Sequence, residues 1–356
     1  MLFKRLELSA PGKIILCGEH AVVYGKKALA TAIDIRTYLT AVTDDEADSF
    51  IVHLDSISES LDFTQNDFEF SGEQSNGLVE IVDNIIKTSG CNETKQKLAI
   101  RFIVIATGIQ WLNLKGLSVR VRSDIPLGSG LGSSASFAVC IALFFLIVSK
   151  KVRLTRNDFN KSELELINEH AFCLEKIFHG KPSGIDNTVS TYGGYISFQK
   201  GEITRFQSEL DLLVLIVSSG MPKNTMEQVM KVKCLGEKLP APFSHILSAI
   251  EEIVASFEVS LKQNNSIGLF ELISMNHWLL SSLSVSNNEL NRIVSIANDN
   301  GYSCKLTGGG GGGCCFAMVS SKDESAQLSI SMKKAGFESF PGILGSRGVC
   351  IDELLV

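Results

Sequence analysis

Several features that mark other classes of protein are missing from this sequence. The longest apolar run, residues 137–148, has twelve residues, whereas a membrane-spanning helix needs about 20. It predicts a buried core helix instead. Residues 1–7 contain no apolar signal core. Lysine and arginine form no long run and the net charge is −6, which argues against a general nucleic-acid binder and against a polybasic membrane anchor. We therefore expect neither nucleic acid nor membrane as a partner.

The cysteines do not form a disulfide framework or a zinc site. There are nine, an odd number, with no C-x-x-C pair, and Cys314 and Cys315 are adjacent. This scattered usage is typical of reduced thiols. We therefore expect a cytoplasmic protein.

The composition that remains is that of an ordinary globular enzyme. Of the 356 residues, 45% are hydrophobic and 20% charged, which suits about two domains. Strand-like and helical segments alternate without a regular βαβ order, so we predict an α+β fold. The predicted strands are residues 6–10, 13–17, 28–35, 117–122, 194–198, 212–218, 304–306 and 315–319. The predicted helices are residues 77–87, 96–112, 161–178, 225–233, 244–262, 267–283 and 289–300. Residues 43–76 are polar and predict a hairpin with a surface connection.

A glycine-rich loop precedes the apolar helix. It reads Gly128-x-Gly130-x-Gly132-Ser133-Ser134. Glycines allow sharp turns and a close backbone approach to a ligand. Both serines are good N-cap residues, and the N-terminus of the helix behind them favours anions such as phosphates. The alternative is a glycine turn that only caps a core helix.

Other nucleotide-binding loops fit this segment less well. The chain contains no G-x-x-x-x-G-K-[ST], which excludes the P-loop class. The segment Gly130-x-Gly132-x-x-Ala135 does match the loose dinucleotide fingerprint, but that motif needs an acidic residue about 20 positions later. Residues 149–153 read Ser-Lys-Lys-Val-Arg instead. The sequence therefore disfavours an NAD-dependent dehydrogenase.

Two carboxylates are candidates for chemistry. Glu175 lies at the edge of the apolar stripe of the helix predicted over 161–178, where a carboxylate needs a cation or hydrogen bonds. Asp186 follows a Pro-Ser-Gly turn, and we expect it on a loop. The alternatives are a surface glutamate and a turn-stabilising aspartate.

A second glycine segment, Gly308 to Gly313, lies between two predicted strands. Six consecutive glycines cost chain entropy. A flexible linker is the plain alternative. A loop that approaches a ligand or the first glycine loop explains its position better.

These segments, together with residues 11–25 (Pro-Gly-Lys-Ile-Ile-Leu-Cys-Gly-Glu-His-Ala-Val-Val-Tyr-Gly), resemble the GHMP kinase superfamily of small-molecule kinases. The order and spacing of three motifs match over almost the whole chain. Residues 18–25, residues 181–194 and the pair Asn276-His277 are similar to the branch that phosphorylates mevalonate. Two departures are modest: Gly309 stands where the family usually has alanine, and residues 340–348 match loosely.

The resemblance implies a two-domain fold, with a ribosomal-protein-S5-like domain at residues 1–205 and a ferredoxin-like domain at residues 206–356. ATP and Mg²⁺ are the implied cofactors and mevalonate the implied substrate. A homodimer and inhibition by prenyl diphosphates that compete with ATP are further expectations.

The same resemblance assigns roles to single residues. Asp186 would accept the proton of the attacking hydroxyl, with Lys13 beside it to offset negative charge. Ser134 and Glu175 would bind Mg²⁺. The mevalonate pocket would be formed by Glu19, His20 and Thr225, with Lys223 a weaker candidate. The residues implied to bind the ATP phosphates are Gly128, Ser129, Gly130, Leu131, Gly132, Ser133 and Ser134 in the first loop and Gly309, Gly310 and Gly311 in the second.

Two alternatives stay open at this stage. The acceptor could be phosphomevalonate, a sugar or homoserine, although residues 18–21 (Gly-Glu-His-Ala) disfavour this. A catalytically inactive sensor with the same fold would be expected to lose a catalytic group. Lys13, Glu175 and Asp186 are all present.

Overall fold

The computed structural model of the protein describes residues 3–44, 46–68, 77–88, 93–126, 128–155 and 158–356. Part of the connection predicted within residues 43–76 lies outside these ranges. Inside them, no helix combines the length and the apolar character that a membrane span requires.

The strands and helices of the described residues follow one another in a mixed order, as expected for an α+β fold. The strands are Arg5–Cys17 (β1), Ala28–Thr43 (β2), Phe50–Leu54 (β3), Glu59–Phe63 (β4), Leu117–Ser123 (β5), Tyr195–Gln199 (β6), Glu202–Phe206 (β7), Leu213–Ser218 (β8), Cys304–Leu306 (β9), Cys314–Val319 (β10), Ser339–Ile343 (β11) and Cys350–Leu355 (β12). The α-helices are Leu78–Thr88 (α1), Lys95–Thr107 (α2), Ser133–Val148 (α3), Lys161–His179 (α4), Ile185–Tyr192 (α5), Thr225–Lys238 (α6), Pro240–Lys262 (α7), Leu269–Ser282 (α8), Asn288–Asp299 (α9) and Lys322–Lys334 (α10).

The first sheet is built around a long antiparallel pair, β1 and β2. Its main path runs β12-β1-β2-β5-β3-β4, and β6 joins β2 with β7 beyond it. The two strands predicted at residues 6–10 and 13–17 are one strand, whose register shifts between Pro11 and Gly12. Proline cannot donate to a ladder, so an interior strand accepts it only at such a bulge. The C-terminal strand β12 also pairs with β1.

Helix α3 forms the centre of the core under this sheet. Its residues from Ala135 to Ile147 are buried except Phe137, as expected of a helix that is apolar on every side. Helix α4 packs against it and matches its predicted bounds to within one residue. A capping box explains its sharp start, because Asn160 accepts from the Glu163 backbone N–H and Glu163 accepts from the Asn160 N–H.

The second sheet has the order β11-β8-β10-β9 and carries α6 to α10. A separate apolar cluster joins the two sheets. It brings Ile14 and Leu16 of β1 against Phe257 of α7, Ile273 of α8 and Phe316 of β10. The two halves of the chain are therefore packed against each other through this cluster.

Several local expectations were wrong. Asp186 does not lie on a loop but in the first turn of α5, which begins after Gly184 in the left-handed conformation (φ 83°). The N-cap of α3 is Gly132 (φ 80°), so Ser133 and Ser134 are its first helical residues and do not cap it. Helix α2 ends at Thr107, because Gly108 adopts φ 70°. Strands β7 and β12 and helix α10 were not predicted.

Candidate active site

The first glycine loop is shaped by two lysines that lie against it. A Cβ atom at Gly130 would meet Lys223 Nζ at 2.7 Å, and one at Gly132 would meet Lys13 Cγ at 2.9 Å. Both glycines also have left-handed φ values, 85° and 80°. The Lys13 N–H donates to Leu131 O at 2.7 Å, which fixes the loop to β1. Glycine is therefore required here both by the turn and by the close approach of cations.

Lys13 and Asp186 form an ion pair beside this loop. Lys13 Nζ lies 3.2 Å from Asp186 Oδ1, and 7% of the lysine side chain is exposed against 35% of the aspartate side chain. Helix α5 is fixed to β1 by the Ser190 hydroxyl, which donates to Pro11 O at 2.8 Å. The aspartate is thus held by a buried cation and remains accessible from the cleft.

Glu175 is a buried carboxylate that the protein leaves incompletely paired. Its side chain is 4% exposed, and its Oε1 atom has no hydrogen-bond partner in the described part of the chain. Burial, and then the charge of Asp186, raise the pKa of Glu175 to about 7, while Ser134 and Lys13 oppose the shift. A divalent cation would relieve this penalty, because it stabilises the charged form.

His179 completes this group, and the sequence reasoning missed it. Its Nε2 atom lies 2.9 Å from Ser134 Oγ and 4.0 Å from Glu175 Oε2. Burial lowers the pKa of His179, and so do the charges of Lys95 and Lys223, against the opposing charge of Asp186. Its position in the sequence could have indicated this, because His179 follows Glu175 by four residues on α4 and residues four apart share a helix face.

Lys223 is the second cation near the loop. Burial lowers its pKa, and the neighbouring charge of Lys13 does the same, while Asp186 opposes the shift. Two ammonium groups that destabilise each other in one place form a site that an anion would stabilise.

Glu19 and His20 lie in a strained turn just after the end of β1 at Cys17. His20 has φ 59° and ψ −42°, and the Ala21 N–H donates to Glu19 O at 2.6 Å. This is a γ-turn, a rare conformation, and a strained residue of this kind costs about 1–3 kcal/mol. Such strain persists only where the surrounding structure imposes it.

The second glycine segment provides one of the contacts that hold this turn. His20 Nε2 lies 2.8 Å from Gly309 O. A carbonyl can only accept, so Nε2 carries the proton, and the other ring nitrogen of the neutral imidazole is an acceptor. Burial lowers the pKa of His20, against the opposing effects of Gly309 and Glu19. Its neutral form is therefore favoured at pH 7.

The glycine run is not a free linker. The Gly311 N–H donates to Val285 O at 2.8 Å, and a Cβ atom at Gly310 would meet that same oxygen at 2.2 Å. A Cβ atom at Gly313 would lie 3.1 Å from Ser129 O, so the run also approaches the first loop. Thr225, at the start of α6, would contact a Cβ atom at Gly309 at 3.1 Å.

A cavity of about 240 Å³ opens next to the first loop. Gly128, Ser133 and Ser134 form one of its sides. Apolar side chains form much of the remainder, namely Leu54, Ile57, Val121, Phe137 and Phe178. Its position and apolar lining suit a flat ring attached to a phosphate chain.

The structure brings the predicted site residues into two groups. Lys13, Ser134, Glu175 and Asp186 are neighbours, and we call them the transfer cluster. Glu19, His20, Thr225 and Gly309 gather at the strained turn. Lys305, which also lies there and pairs with Glu19, was not predicted.

Two family models match the chain. "GHMP kinases N terminal domain" matches residues 94–194 and "GHMP kinases C terminal" matches residues 257–337. A mevalonate kinase from Mus musculus is 32% identical over 98% of this chain and 95% of its own length. One from Arabidopsis thaliana is 32% identical over 96% of this chain and 98% of its own length.

The fold is also similar to a solved structure. The crystal structure of the Methanococcus jannaschii mevalonate kinase matches 96% of this chain and 99% of its own, with a TM-score of 0.76 and 27% identity. The prediction of an α+β GHMP kinase fold is confirmed.

Proposed function

The chain belongs to the mevalonate kinases of the GHMP kinase superfamily, and from this we propose that it transfers the γ-phosphate of ATP to the 5-hydroxyl of mevalonate, giving 5-phosphomevalonate. The observation that carries the proposal is the Lys13–Asp186 ion pair. It lies between a glycine loop suited to phosphates and a buried carboxylate suited to a metal ion. Phosphoryl transfer needs these positioned charges more than it needs covalent chemistry.

The nucleotide phosphates bind along the first glycine loop. The first N–H groups of α3 have no intrahelical acceptors and the helix N-terminus is positive, so both favour an anion. Lys223 Nζ supplies further positive charge at Gly130, and the stem of the Lys13 side chain lies against Gly132. The neighbouring 240 Å³ cavity accepts the adenine base. Gly309, Gly310 and Gly311 cover the phosphates from the opposite side.

The residues of the transfer cluster fit a magnesium ion. Glu175 offers a buried oxygen without a partner in the described chain, and Ser134 offers a hydroxyl, both of which suit this cation. When bound, Mg²⁺ neutralises charge on the transferring phosphate. No group of three or more acidic, histidine or cysteine side chains within the described ranges could hold a metal by itself. Phosphate oxygens and water would therefore supply the other ligands.

Asp186 acts as the general base. As the 5-hydroxyl oxygen bonds to the γ-phosphorus, the bond to the β-phosphate oxygen breaks, ADP leaves, and the hydroxyl proton passes to Asp186. Lys13 offsets the negative charge that collects between the carboxylate and the phosphate. General base catalysis of this kind contributes about 100- to 10,000-fold.

Mevalonate binds at the strained turn. Glu19 has one buried oxygen, Oε2, without a partner in the described residues, and it can accept a bond from a mevalonate hydroxyl. The free ring nitrogen of His20 and the hydroxyl of Thr225 are further partners. Lys223, whose ammonium group lies beside Gly130, is a weaker candidate for contact with the acceptor.

Several wider features belong to the same proposal. The family resemblance supports a homodimer, competition between prenyl diphosphates and ATP, a place in isoprenoid and sterol biosynthesis, and a division into domains at residues 205–206. The free thiols of the described cysteines support a cytoplasmic address.

Turnover of an acceptor panel tests the proposed function. The purified protein is assayed with Mg-ATP and mevalonate, phosphomevalonate, galactose or homoserine, and the product is identified by mass. We expect phosphorylation of mevalonate alone. Turnover of a different acceptor would contradict the substrate, and Mg-ATP binding without any turnover would favour a sensor.

A further inference from the structure

Residues 305–309 of the second half of the chain contact residues 15–20 of the first half at three points. The Thr307 hydroxyl accepts from Ile15 N–H at 3.1 Å and donates to Ile15 O at 3.0 Å. Lys305 Nζ lies 2.5 Å from Glu19 Oε1, and His20 bonds to Gly309 O. The strained turn is therefore held at its central residue, His20, and at the residue before it, Glu19, by a segment remote in sequence.

The contact between Lys305 and Glu19 is the ion pair among these three contacts. Its side chain is fully buried and that of Glu19 is 1% exposed. The ammonium group also lies 5.3 Å from the centroid of the Phe316 ring. An ammonium group in such surroundings needs a carboxylate partner, and Glu19 is the ion-pair partner that the described residues give it.

Neighbouring groups do not replace this cation. His277 is buried beside β9, where its Nδ1 atom is 3.4 Å from the Leu306 backbone N–H. Burial, and then the charge of Lys305, lower the pKa of His277 to about 4. The imidazole is therefore neutral at pH 7, and the charge that faces Glu19 comes from Lys305.

We propose that Lys305 is a positioning residue for the acceptor. It occupies Oε1 of Glu19, leaves Oε2 free for a ligand, and through Glu19 keeps the His20 γ-turn in its strained conformation. This inference rests on the proposed function, because it deepens the assignment of Glu19 and His20 to the mevalonate pocket. In this proposal Lys305 acts through Glu19, its ion-pair partner, and does not itself contact the acceptor.

The first test removes the charge with little change of length. In Lys305→Met we expect the KM for mevalonate to rise about tenfold or more, because displacing a positioning group by an ångström can cost about 100-fold. The KM for ATP should change less than about twofold. The matched control is Lys27→Met, which removes a different lysine that pairs across the halves, with Glu258 at 2.9 Å. The control should leave both values unchanged. An equal rise in both KM values, or no rise, would overturn the proposal.

A second readout does not depend on the acceptor. The ring N–H of His20 is followed by NMR in protein labelled at histidine, with His20→Asn used to assign the signal. We expect Lys305→Met to shift this resonance without substrate, and Lys27→Met to leave it in place. An unchanged resonance contradicts the positioning role, even if mevalonate proves not to be the substrate. A shifted resonance in a protein that does not phosphorylate mevalonate would contradict the proposed function alone.

An unpaired buried carboxylate is strongly destabilising. If Lys305→Met does not fold for this reason, a comparison with a double variant tests the proposal instead. Glu19→Gln keeps a side-chain oxygen that can accept from the Lys305 ammonium group, and the double variant Glu19→Gln/Lys305→Met leaves no unpaired charge in this place. If Lys305 acts through Glu19, its removal adds less than about twofold to the mevalonate KM of Glu19→Gln, since coupled residues are not additive. A further rise of about fivefold or more would show an independent role and overturn the proposal.

Discussion

The transfer cluster and the Glu19–Lys305 pair are both buried and charged, yet the protein completes them to different degrees. Glu19 receives an ammonium group at 2.5 Å from the second half of the chain. Among the described residues, the basic group that lies nearest to the Glu175 carboxylate is the ring of His179, at 4.0 Å, and the pKa of Glu175 is raised to about 7. Lys305 holds one oxygen of Glu19 as a structural anchor. In our proposal, the oxygens without a partner in the described chain, Oε2 of Glu19 and Oε1 of Glu175, are completed by ligands.

The surroundings of each carboxylate therefore separate a positioning role from a ligand-binding role. A buried ion pair across two sheets holds a shape in the absence of substrate. A buried carboxylate without its cation costs stability, and in our proposal the binding of a metal–nucleotide complex restores that stability. Removing single groups from either place tests this comparison.

The largest expected effect comes from Asp186. We predict that Asp186→Asn lowers kcat about 1,000- to 10,000-fold, near the upper range for loss of a general base. Binding of Mg-ATP should change less than about threefold, because we propose that the glycine loop holds the phosphates. Steady-state kinetics and calorimetry measure the two quantities. A loss of only a few fold in kcat would show that Asp186 is not the base.

Breaking the Glu19–Lys305 ion pair should destabilise the protein. Glu19→Ala leaves the ammonium group of Lys305 buried without a partner, and we expect a loss of about 3–5 kcal/mol in the free energy of unfolding. Urea denaturation at pH 7 measures it. Glu19→Ala/Lys305→Met is the matched variant and should recover much of the loss. Equal instability of the single and double variants would contradict a buried pair.

Neutralising Glu175 should instead increase the free energy of unfolding of the ligand-free protein. The folded-state pKa of about 7 lies above the ordinary glutamate value of 4.5, so the folded protein binds this proton more tightly and its stability falls as the pH rises from about 4.5 to about 7. We expect Glu175→Gln to be more stable by up to about 3 kcal/mol at pH 8, at about 1.4 kcal/mol per pKa unit. The gain should vanish near pH 4.5.

Urea denaturation at both pH values, without nucleotide, measures this effect. Mg-ATP should then stabilise Glu175→Gln less than the wild type. A gain that is the same at pH 4.5 and pH 8 would show that Glu175 titration is not its source.

The smallest expected effect concerns Ser134. Ser134→Ala removes a neutral hydroxyl from the first turn of α3, where alanine is well tolerated, so we expect less than about 1 kcal/mol change in stability. The Mg²⁺ concentration needed for half-maximal rate should rise about tenfold, by loss of one ligand. Rates measured over a Mg²⁺ series at fixed ATP decide this. An unchanged requirement would remove Ser134 from the metal site.

The predictable parts of this molecule are those in which nearby residues carry the signal. Apolar periodicity gave α4 to within a residue, and glycine spacing located both loops. The pairing of Lys305 with Glu19 joins residues 286 positions apart, and neither side chain shows locally that it is buried. Helix α5 was missed because the turn before it, with Gly184 in a left-handed conformation, looks in sequence like the end of a loop. The pairing of β12 with β1 depends on the whole first sheet and has no local pattern of its own.

Proton release on nucleotide binding tests the central claim, that a metal–nucleotide complex completes the transfer cluster. Calorimetry of Mg-ADP binding at pH 7, in buffers of different ionisation enthalpy, counts the protons. A carboxyl with a pKa of about 7 is half protonated at that pH, so the wild type should release about half a proton more than Glu175→Gln as the cation lowers its pKa. Equal proton release by the two proteins would contradict the account.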